Sequence, residues 1–555
     1  MPFSLILFFI SITGIFLSDI FANYNTSQFG FYLALSSPFF IFLLVKMEKK
    51  KIYLPIKETF FYFLFISFST VSAFFAIDRE MALQGLLTYI VGYPFFIFVF
   101  NYQRELMKSF KWFLISISIF SCFLFLINKI FVLKLFSNWS FFYEGFFHNE
   151  LGNFLVLGII ICLYEILFNY KNKLKYALFL ILPFFILSYS RTAYLSVIVI
   201  SILFLFIKNS LFNFNKKIIL LNIILVGVII FFNTTKEVNK IFPDPVRNFL
   251  EKRLLLPKGK SLTGKRQQHY YYTWLTILER PLFGVGPNNL YFSTIKKQFN
   301  DEEATTTAHN LFLDILAENG AFAVISFLFF LTFAFIKMKK DLYYYLFLSL
   351  SLVFLFDFSY KYISVFLFWM ILMGISTNNN KSNYWLDNKV FFLLITAIFF
   401  IGQLIMIGKI FTNIGLADLS LKIYPLNSKG YEALIKQNIS KGEYGKGIMN
   451  LRQYDNYFEN DYISNYKKGM LSIDLNDKKS AVYYYEKALY NSPLLSLSLL
   501  DKIFALNIDI LGKKTGKLKT EEFIIQFKKK VLIPKKSDVE TILKDFCFDN
   551  NLKCQ

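Results

Sequence analysis

Apolar runs of about 17 to 25 residues recur from the start of the chain to about position 408, broken by short polar segments, and then stop. A helix needs roughly that length to cross about 30 Å of hydrocarbon. The pattern predicts thirteen membrane-spanning helices, at about 3–22, 28–46, 58–77, 82–100, 110–128, 150–168, 174–190, 192–207, 217–233, 316–336, 342–359, 362–376 and 390–408. The first run lacks a basic leader and an A-x-A-like cleavage site, and further spans follow it, so it reads as a span and not as a signal peptide. The expected fold is an all-α, polytopic helical membrane domain over residues 1–408, with a large external loop at about 234–309 and a soluble helical domain over 409–555.

Charge fixes the sidedness. Alternate loops carry clusters such as Lys49, Lys50 and Lys51, or Lys337, Lys339 and Lys340, whereas the other set holds only Arg79, Lys129, Lys134, Arg191 and Lys361 in its short loops. The bias is about four to one, and Lys/Arg-rich loops face the cytoplasm. The N-terminus is therefore expected inside, and the long loop, Arg191, His148 and the C-terminal domain outside.

Beyond Lys409 the pattern turns polar and amphipathic, with a 34-residue period, the spacing of tetratricopeptide helix pairs. Gly469, Ala481, Tyr485, Ala488 and Pro493 hold the small, aromatic and terminating places of one window; Tyr431, Leu434, Gly442 and Leu451 fall in register in the window before it. Two repeats need caps, which helices around 410–425 and 495–550 would supply. Such a domain offers a docking surface for protein or glycan, and so for a protein partner.

Composition narrows the function. With 55% hydrophobic residues, 72 Phe and a mean hydropathy of +0.46, the chain needs membrane lipid as its solvent. Its formal charge of +22 sits in clusters between spans without any nucleic-acid-binding signature, so no nucleic-acid partner is expected. No phosphate-binding glycine loop, dinucleotide fingerprint, H-E-x-x-H helix or Cys/His cluster is present, and neither a cofactor nor a metal is expected. Cys122 and Cys162 lie in spans. Cys547 and Cys554, seven apart in the external tail, are placed where an oxidising compartment permits a disulfide.

Three segments carry candidate chemistry. In Ser188-Tyr189-Ser190-Arg191-Thr192-Ala193 an Arg interrupts two apolar runs. Snorkelling at a helix end would explain it, but the hydroxyl neighbours and the tight re-entry favour a buried ligand for an anion. The segment Thr263-Gly264-Lys265-Arg266 leads through a helix to Pro281-Leu282-Phe283-Gly284-Val285-Gly286-Pro287-Asn288. Arg266 is as well explained, taken singly, by a solvated basic loop, yet its planar fork suits a diphosphate. Ala308-His309-Asn310 begins an apolar-faced helix that carries Glu318-Asn319-Gly320, where the long loop returns to the membrane; a His at a helix start is commonly a cap, and it is also the side chain whose proton moves near neutral pH.

These segments, in this order and on one side, resemble the superfamily of O-antigen ligases, O-antigen polymerases and protein O-oligosaccharyltransferases over about residues 140–375. Ser190-Arg191-Thr192-Ala193 is similar to the family's S-R-[TG]-A start of a span. Arg266 with Gly284 and Gly286 follows its Arg-helix-P-x-x-G-x-G pattern, and His309-Asn310 with Glu318-Asn319-Gly320 its H-N…E-x-G element. Gly145-Phe146-Phe147-His148-Asn149-Glu150-Leu151-Gly152 is a weaker match. Where the family often has Trp four residues after the loop Arg, this chain has Tyr270, with Trp274 a turn later.

The resemblance implies a GT-C-like fold that transfers an undecaprenyl-diphosphate-linked glycan to an acceptor at the periplasmic face of the inner membrane, without nucleotide sugar or metal. Arg191 and Arg266 would hold the leaving diphosphate, and His309 would orient or deprotonate the acceptor hydroxyl. His148, Asn149, Asn310 and Tyr270 would shape the substrate cavity. A ligase acting on lipid A-core is the leading expectation, with a polymerase or a protein-glycosylating transferase as alternatives. A lipid-linked glycan flippase is the alternative of another class; it would carry internal repeats and mid-bilayer charges, of which few are seen. A membrane-anchored scaffold would explain the tail but not Arg191, Arg266 and His309.

Overall fold

The computed structural model describes residues 2–20, 27–48, 51–130, 149–169, 171, 173–188, 190–205, 266–300, 305–378, 384–385, 388–458 and 461–554. The expected span at 217–233 and the loop up to Lys265 lie outside the described residues.

The other twelve expected spans are helices: α1 (Phe3–Ile20), α2 (Ser27–Met47), α3 (Ile56–Phe74), α4 (Arg79–Asn101), α5 (Gln103–Ile130), α6 (Asn149–Phe168), α7 (Leu174–Leu187), α8 (Arg191–Leu205), and, after three helices of the long loop and its return, α12 (Ala321–Lys337), α13 (Leu342–Phe354), α14 (Ile363–Ser376) and α15 (Asn388–Asn413). The intervening three are α9 (Arg266–Glu279), α10 (Leu290–Thr294) and α11 (Leu311–Asn319). Five of the described helices are long and apolar enough to cross a membrane, and six shorter ones are apolar. The protein is thus an all-α, polytopic membrane protein.

Several boundaries differ from expectation: α5 begins at Gln103 and not near 110, α13 ends at Phe354 and not near 359, and two further differences have a plain cause. The run at 316–336 is broken at Gly320, whose φ of +85° ends α11 and starts α12 in a new direction. The last apolar helix continues to Asn413, because Ile410 and Phe411 prolong the apolar run until Gly415 turns the chain with φ +87°.

Helices α4, α6 and α14 form the centre. Every residue of α14 is buried, and 89% of the apolar window of α6 is inside the protein, against 28% for α15, which therefore presents most of its surface outward. Phe supplies much of the packing: Phe61 of α3 stacks on Phe329 and Phe333 of α12 at 5.0 and 5.3 Å, an offset geometry that aromatic quadrupoles favour.

The loops segregate into two ends as the charge alternation requires. At one end Lys337 pairs with Glu58 (2.9 Å), Lys111 with Glu165 (2.8 Å), residues Tyr53 and Leu54 pair with Trp385 and Tyr384 as two-residue strands, and Ser4 donates to Glu48 (3.0 Å). The other end gathers the 75–78 turn, the start of α8, the segment 266–320, the 355–362 turn and the tail.

The tail is helical throughout. It comprises α16 (Ala417–Ile423), α17 (Ser428–Ser440), α18 (Tyr444–Tyr457), α19 (Tyr462–Asp474), α20 (Lys478–Asn491), α21 (Leu499–Leu511), α22 (Lys513–Val531) and α23 (Asp538–Asp549). The helices starting at Ser428 and Tyr444 recur at Tyr462 and Lys478, an offset of 34 residues in both cases. A Cβ on Gly469 would enter the Tyr485 ring, so α19 and α20 touch there only because one side chain is absent. Cys547 and Cys554 are disulfide-bonded.

Contacts tie the tail to the end of the bundle that carries 266–320. Ser428 donates to Glu80 through its backbone N (3.2 Å) and hydroxyl (2.9 Å), the Tyr291 and Tyr462 hydroxyls meet at 3.1 Å, and Val539 N donates to the Phe299 carbonyl at 3.1 Å.

Candidate active site

Helix α9 exists because its buried stripe, His269, Tyr272, Thr273, Thr276 and Ile277, recurs at helical spacing, and it stops where Pro281 follows. The next nine residues form an interlock. Gly284 (φ +68°) lies so close to α11 that a Cβ would enter the Glu318 carbonyl, and Gly320 lies equally close to the Leu282 backbone. The two segments exchange backbone bonds, with Val285 N donating to Ala317 O (3.1 Å), Gly286 N to Glu318 O (2.8 Å) and Ala321 N to Pro281 O (2.9 Å). The buried Asn289 then receives Asp78 N (2.7 Å) and donates to Asp78 O (3.0 Å), fixing the unit on the start of α4. The glycine motifs thus lock α9 and α11 rigidly together.

His309 sits at the entry to α11 with φ +52°, a conformation that costs a non-glycine residue roughly 1 kcal/mol. Two contacts hold it there: its N–H donates to Thr307 Oγ1 (2.9 Å), and Asn310 caps the helix by accepting from Phe312 and Leu313 N (both 3.0 Å) while its amide donates to Leu355 O (2.9 Å). Asn310 therefore spends its amide on placing His309. The imidazole packs between the rings of His269 and Phe358, each 5.0 Å away, and its Nδ1 lies 3.9 Å from the buried Asp357 carboxylate. That distance is too long for a hydrogen bond but short for charge stabilisation. His269 in turn meets Thr305 Oγ1 at 3.1 Å.

The ring contact between His269 and His309 sets the helix that Arg266 opens beside His309. Arg266 is three residues before His269 and Tyr270 four residues after Arg266, spacings that share a helix face. Both side chains are half-buried, while Trp274 is 53% exposed.

Arg191 opens α8 behind Ser190, whose hydroxyl accepts from Ala193 N (3.4 Å) as a cap. Ser188, Ser190 and Thr192 are buried but Arg191 is exposed, contrary to the expectation of a buried side chain; the first residue of the helix projects past the packed turn. Ser196 donates to the Ser349 carbonyl (3.0 Å) where α8 runs alongside α13. At about 1.5 Å rise per residue, five residues back along α8 and six forward along α13 reach nearly the same height, so Arg191 stands level with the Leu355–Asp357 turn that Asn310 and His309 touch. The start of α6 belongs to the same place. A Cβ on Gly152 would lie 2.7 Å from Ser190 and 3.1 Å from Ala193, so this glycine lets α6, which begins at Asn149, reach the Arg191 turn. His148 lies outside the described residues.

Several further residues join the site that the sequence reading did not single out. Lys361 pairs with Glu318 (2.8 Å) and lies 3.8 Å from Asp314, while the Tyr360 hydroxyl donates to Asp314. Burial alone would push the Lys361 amine toward neutrality; the Glu318 and Asp314 carboxylates more than offset it and hold its pKa above the usual lysine value. Glu318 and Lys361 also line a cavity of about 340 Å³ with Asp19, Gln84, Asn288 and Lys409. Asp357 and Lys361 share one short loop, and His269 lies one turn from Arg266. Among the described residues no group of three or more His, Cys, Asp or Glu could hold a metal ion.

Chemically, this end of the bundle offers exposed guanidinium at α8, a second on α9, and an imidazole backed by a carboxylate. Residues 176–328, which include Arg191, Arg266 and His309, match the family model described as O-antigen ligase, and that likeness points to glycosyl transfer of the O-antigen ligase or polymerase type. No curated protein and no solved structure matches the chain.

Proposed function

We propose that the protein is a glycosyltransferase that moves an undecaprenyl-diphosphate-linked O-antigen glycan to lipid A-core at the periplasmic face of the inner membrane. The observation that carries this reading is the meeting of the His309 ring with the helix of Arg266, beside the turn that stands level with Arg191.

In this reaction the acceptor hydroxyl oxygen bonds to the anomeric carbon of the glycan, and the bond from that carbon to the diphosphate oxygen breaks. The lipid diphosphate leaves with the bonding electrons, and Arg191 and Arg266 stabilise the charge that develops on it. The hydroxyl proton passes to His309, whose positive charge then faces Asp357. Asn310 acts as a positioning residue through the α11 cap. Tyr270 borders the glycan; His148 and the side chain of Asn149, expected there from the sequence, lie outside the described residues.

The external assignment is supported by the Lys and Arg distribution, by the docking of the tail on the 266–300 segment, and by a Cys547–Cys554 disulfide that suits an oxidising compartment. A helical repeat domain of tetratricopeptide type beside the site favours transfer onto a large acceptor over joining of repeat units. A deletion strain discriminates. Unattached polymer with bare core is the expected result; single-repeat lipopolysaccharide would mean a polymerase, and intact lipopolysaccharide with unglycosylated proteins a protein-directed transferase.

A further inference from the structure

A second cavity, of about 810 Å³, lies between α9 and the tail. That is at the upper end of the range for ligand pockets, about 300–1,000 Å³. One wall is a single face of α9, made of Gln268, Tyr271, Tyr272, Leu275 and Glu279; the facing wall is Tyr490, Lys530 and Leu532 of the tail, and Lys296 and Lys297 lie between them.

The walls have a definite chemistry. Tyr271 is 60% exposed, and Tyr490 carries the Lys530 ammonium 5.3 Å above its ring. Of the three lysines, Lys297 is matched by Glu279 at 2.9 Å, and Glu279 is the only carboxylate in the described lining. The cleft is therefore net cationic. Burial, Arg280 and Lys297 lower the pKa of Lys296 more than Glu279 and Asp461 raise it, so an anion bound there would help offset the cost of the buried charge. Flat amphipathic rings with ammonium groups around them suit a phosphorylated sugar chain: the rings cover apolar sugar faces, and the ammonium groups make charge-assisted hydrogen bonds to phosphate. A wholly apolar partner would leave the lysines desolvated without compensation.

Position adds direction. The cleft follows α9 from Glu279 to Gln268, roughly 16 Å at 1.5 Å per residue. It ends two residues from Arg266 and next to His269, which touches His309. The face turned to the cleft and the face turned to His309 belong to one helix.

We infer that the cleft between α9 and the C-terminal domain binds the acceptor as a phosphorylated oligosaccharide and delivers its hydroxyl end to His309. This rests on the proposed transferase function, and it gives the tail a role as half of the acceptor site.

The experiment uses the full chain in lipid nanodiscs. The probe is deacylated lipopolysaccharide core oligosaccharide from the bacterium that encodes the protein, before and after removal of its phosphates. Calorimetry should show saturable binding to the wild type. That binding should weaken by about tenfold or more, equivalent to roughly 1.4 kcal/mol, on dephosphorylation and in the Lys296→Glu/Lys530→Glu variant. Tyr271→Ala, at an exposed position where folding is not at stake, should weaken it as well. With transfer as a second readout, these variants should raise the acceptor KM while the affinity for lipid-linked donor stays at the wild-type value. Absence of core binding, indifference to phosphate, binding that survives all the substitutions, or saturable binding of an acidic protein in its place would each overturn the inference. Core binding with these sensitivities but no transfer would uphold the cleft and overturn the transferase reading alone.

Discussion

The two ends of the helical bundle are built on opposite principles. At the end holding Lys337 and Lys111, buried carboxylates are each matched by a lysine, short strands close the loops, and no described residue adopts a positive φ. At the other end Gly284, Gly286, Asn288, His309 and Gly320 all adopt positive φ; a carboxylate oxygen buried without a hydrogen bond occurs at both ends, on Glu58 and Glu165 as on the lysine-paired Glu318. Left-handed backbone, not unspent polar capacity, is what distinguishes the end that carries the proposed site. One end keeps the bundle together, and the other accepts local cost to hold groups ready for a ligand.

Substitutions should separate the two ends. The largest effect is expected from Arg191→Ala or Arg266→Ala, each reducing glycan transfer by at least about a hundredfold, the scale of one lost charge-stabilising group, while the melting temperature in detergent stays near that of the wild type. A drop in stability as large as the drop in transfer would erase the contrast.

At the opposite end, Lys337→Met strands the Glu58 carboxylate in the core and should cost about 3 kcal/mol or more. Adding Glu58→Gln should restore much of that loss, and thermal unfolding of the single and double variants checks it. Next in size is Gly320→Ala, which meets both an unfavourable φ and the Leu282 backbone. A loss of about 2 kcal/mol or more is expected, together with lost transfer, because α9 and α11 separate.

The smallest effect is a pH dependence at the tail junction. Burial raises the Asp78 pKa from 3.8 to about 7, and the nearby Asp461 raises it further within that value. A carboxyl with a raised folded-state pKa binds more protons folded than unfolded between those limits, so its contribution to stability falls as pH rises from about 4 to 7 and is gone above. The wild type should melt higher at pH 6 than at pH 8, and Asp78→Asn should flatten the difference.

How much of this was legible depends on the range of the interaction. The spans follow from local apolarity, and twelve helices stand where it put them. The 34-residue windows read at 428–461 and 462–495 each open on a helix start, at Ser428 and Tyr462, whereas the second helix of each window, from Tyr444 and Lys478, was not placed beforehand. The break at Gly320 was hidden because the apolar run resumes at once from Ala321 beyond the polar Glu318-Asn319 pair, and the close approach of Leu282 from elsewhere in the chain is not visible in the local pattern. Arg191 was expected to be buried because of its hydroxyl neighbours and the tight re-entry of the chain; those neighbours are buried, but Arg191 at the helix start is exposed, a distinction that leaves no local trace. The facing of His309 by Asp357 and the capture of Lys361 by Glu318 join residues 48 and 43 positions apart, and no pattern within one helix encodes them.

The most direct measurement is transfer by purified protein from an undecaprenyl-diphosphate-linked glycan to lipid A-core, without nucleotide sugar, in wild-type and His309→Ala forms. The prediction is glycosylated lipid A-core with equimolar release of lipid diphosphate from the wild type, and none above background from a His309→Ala variant that remains folded. An inactive wild type, or a variant that transfers at the full rate, would contradict it.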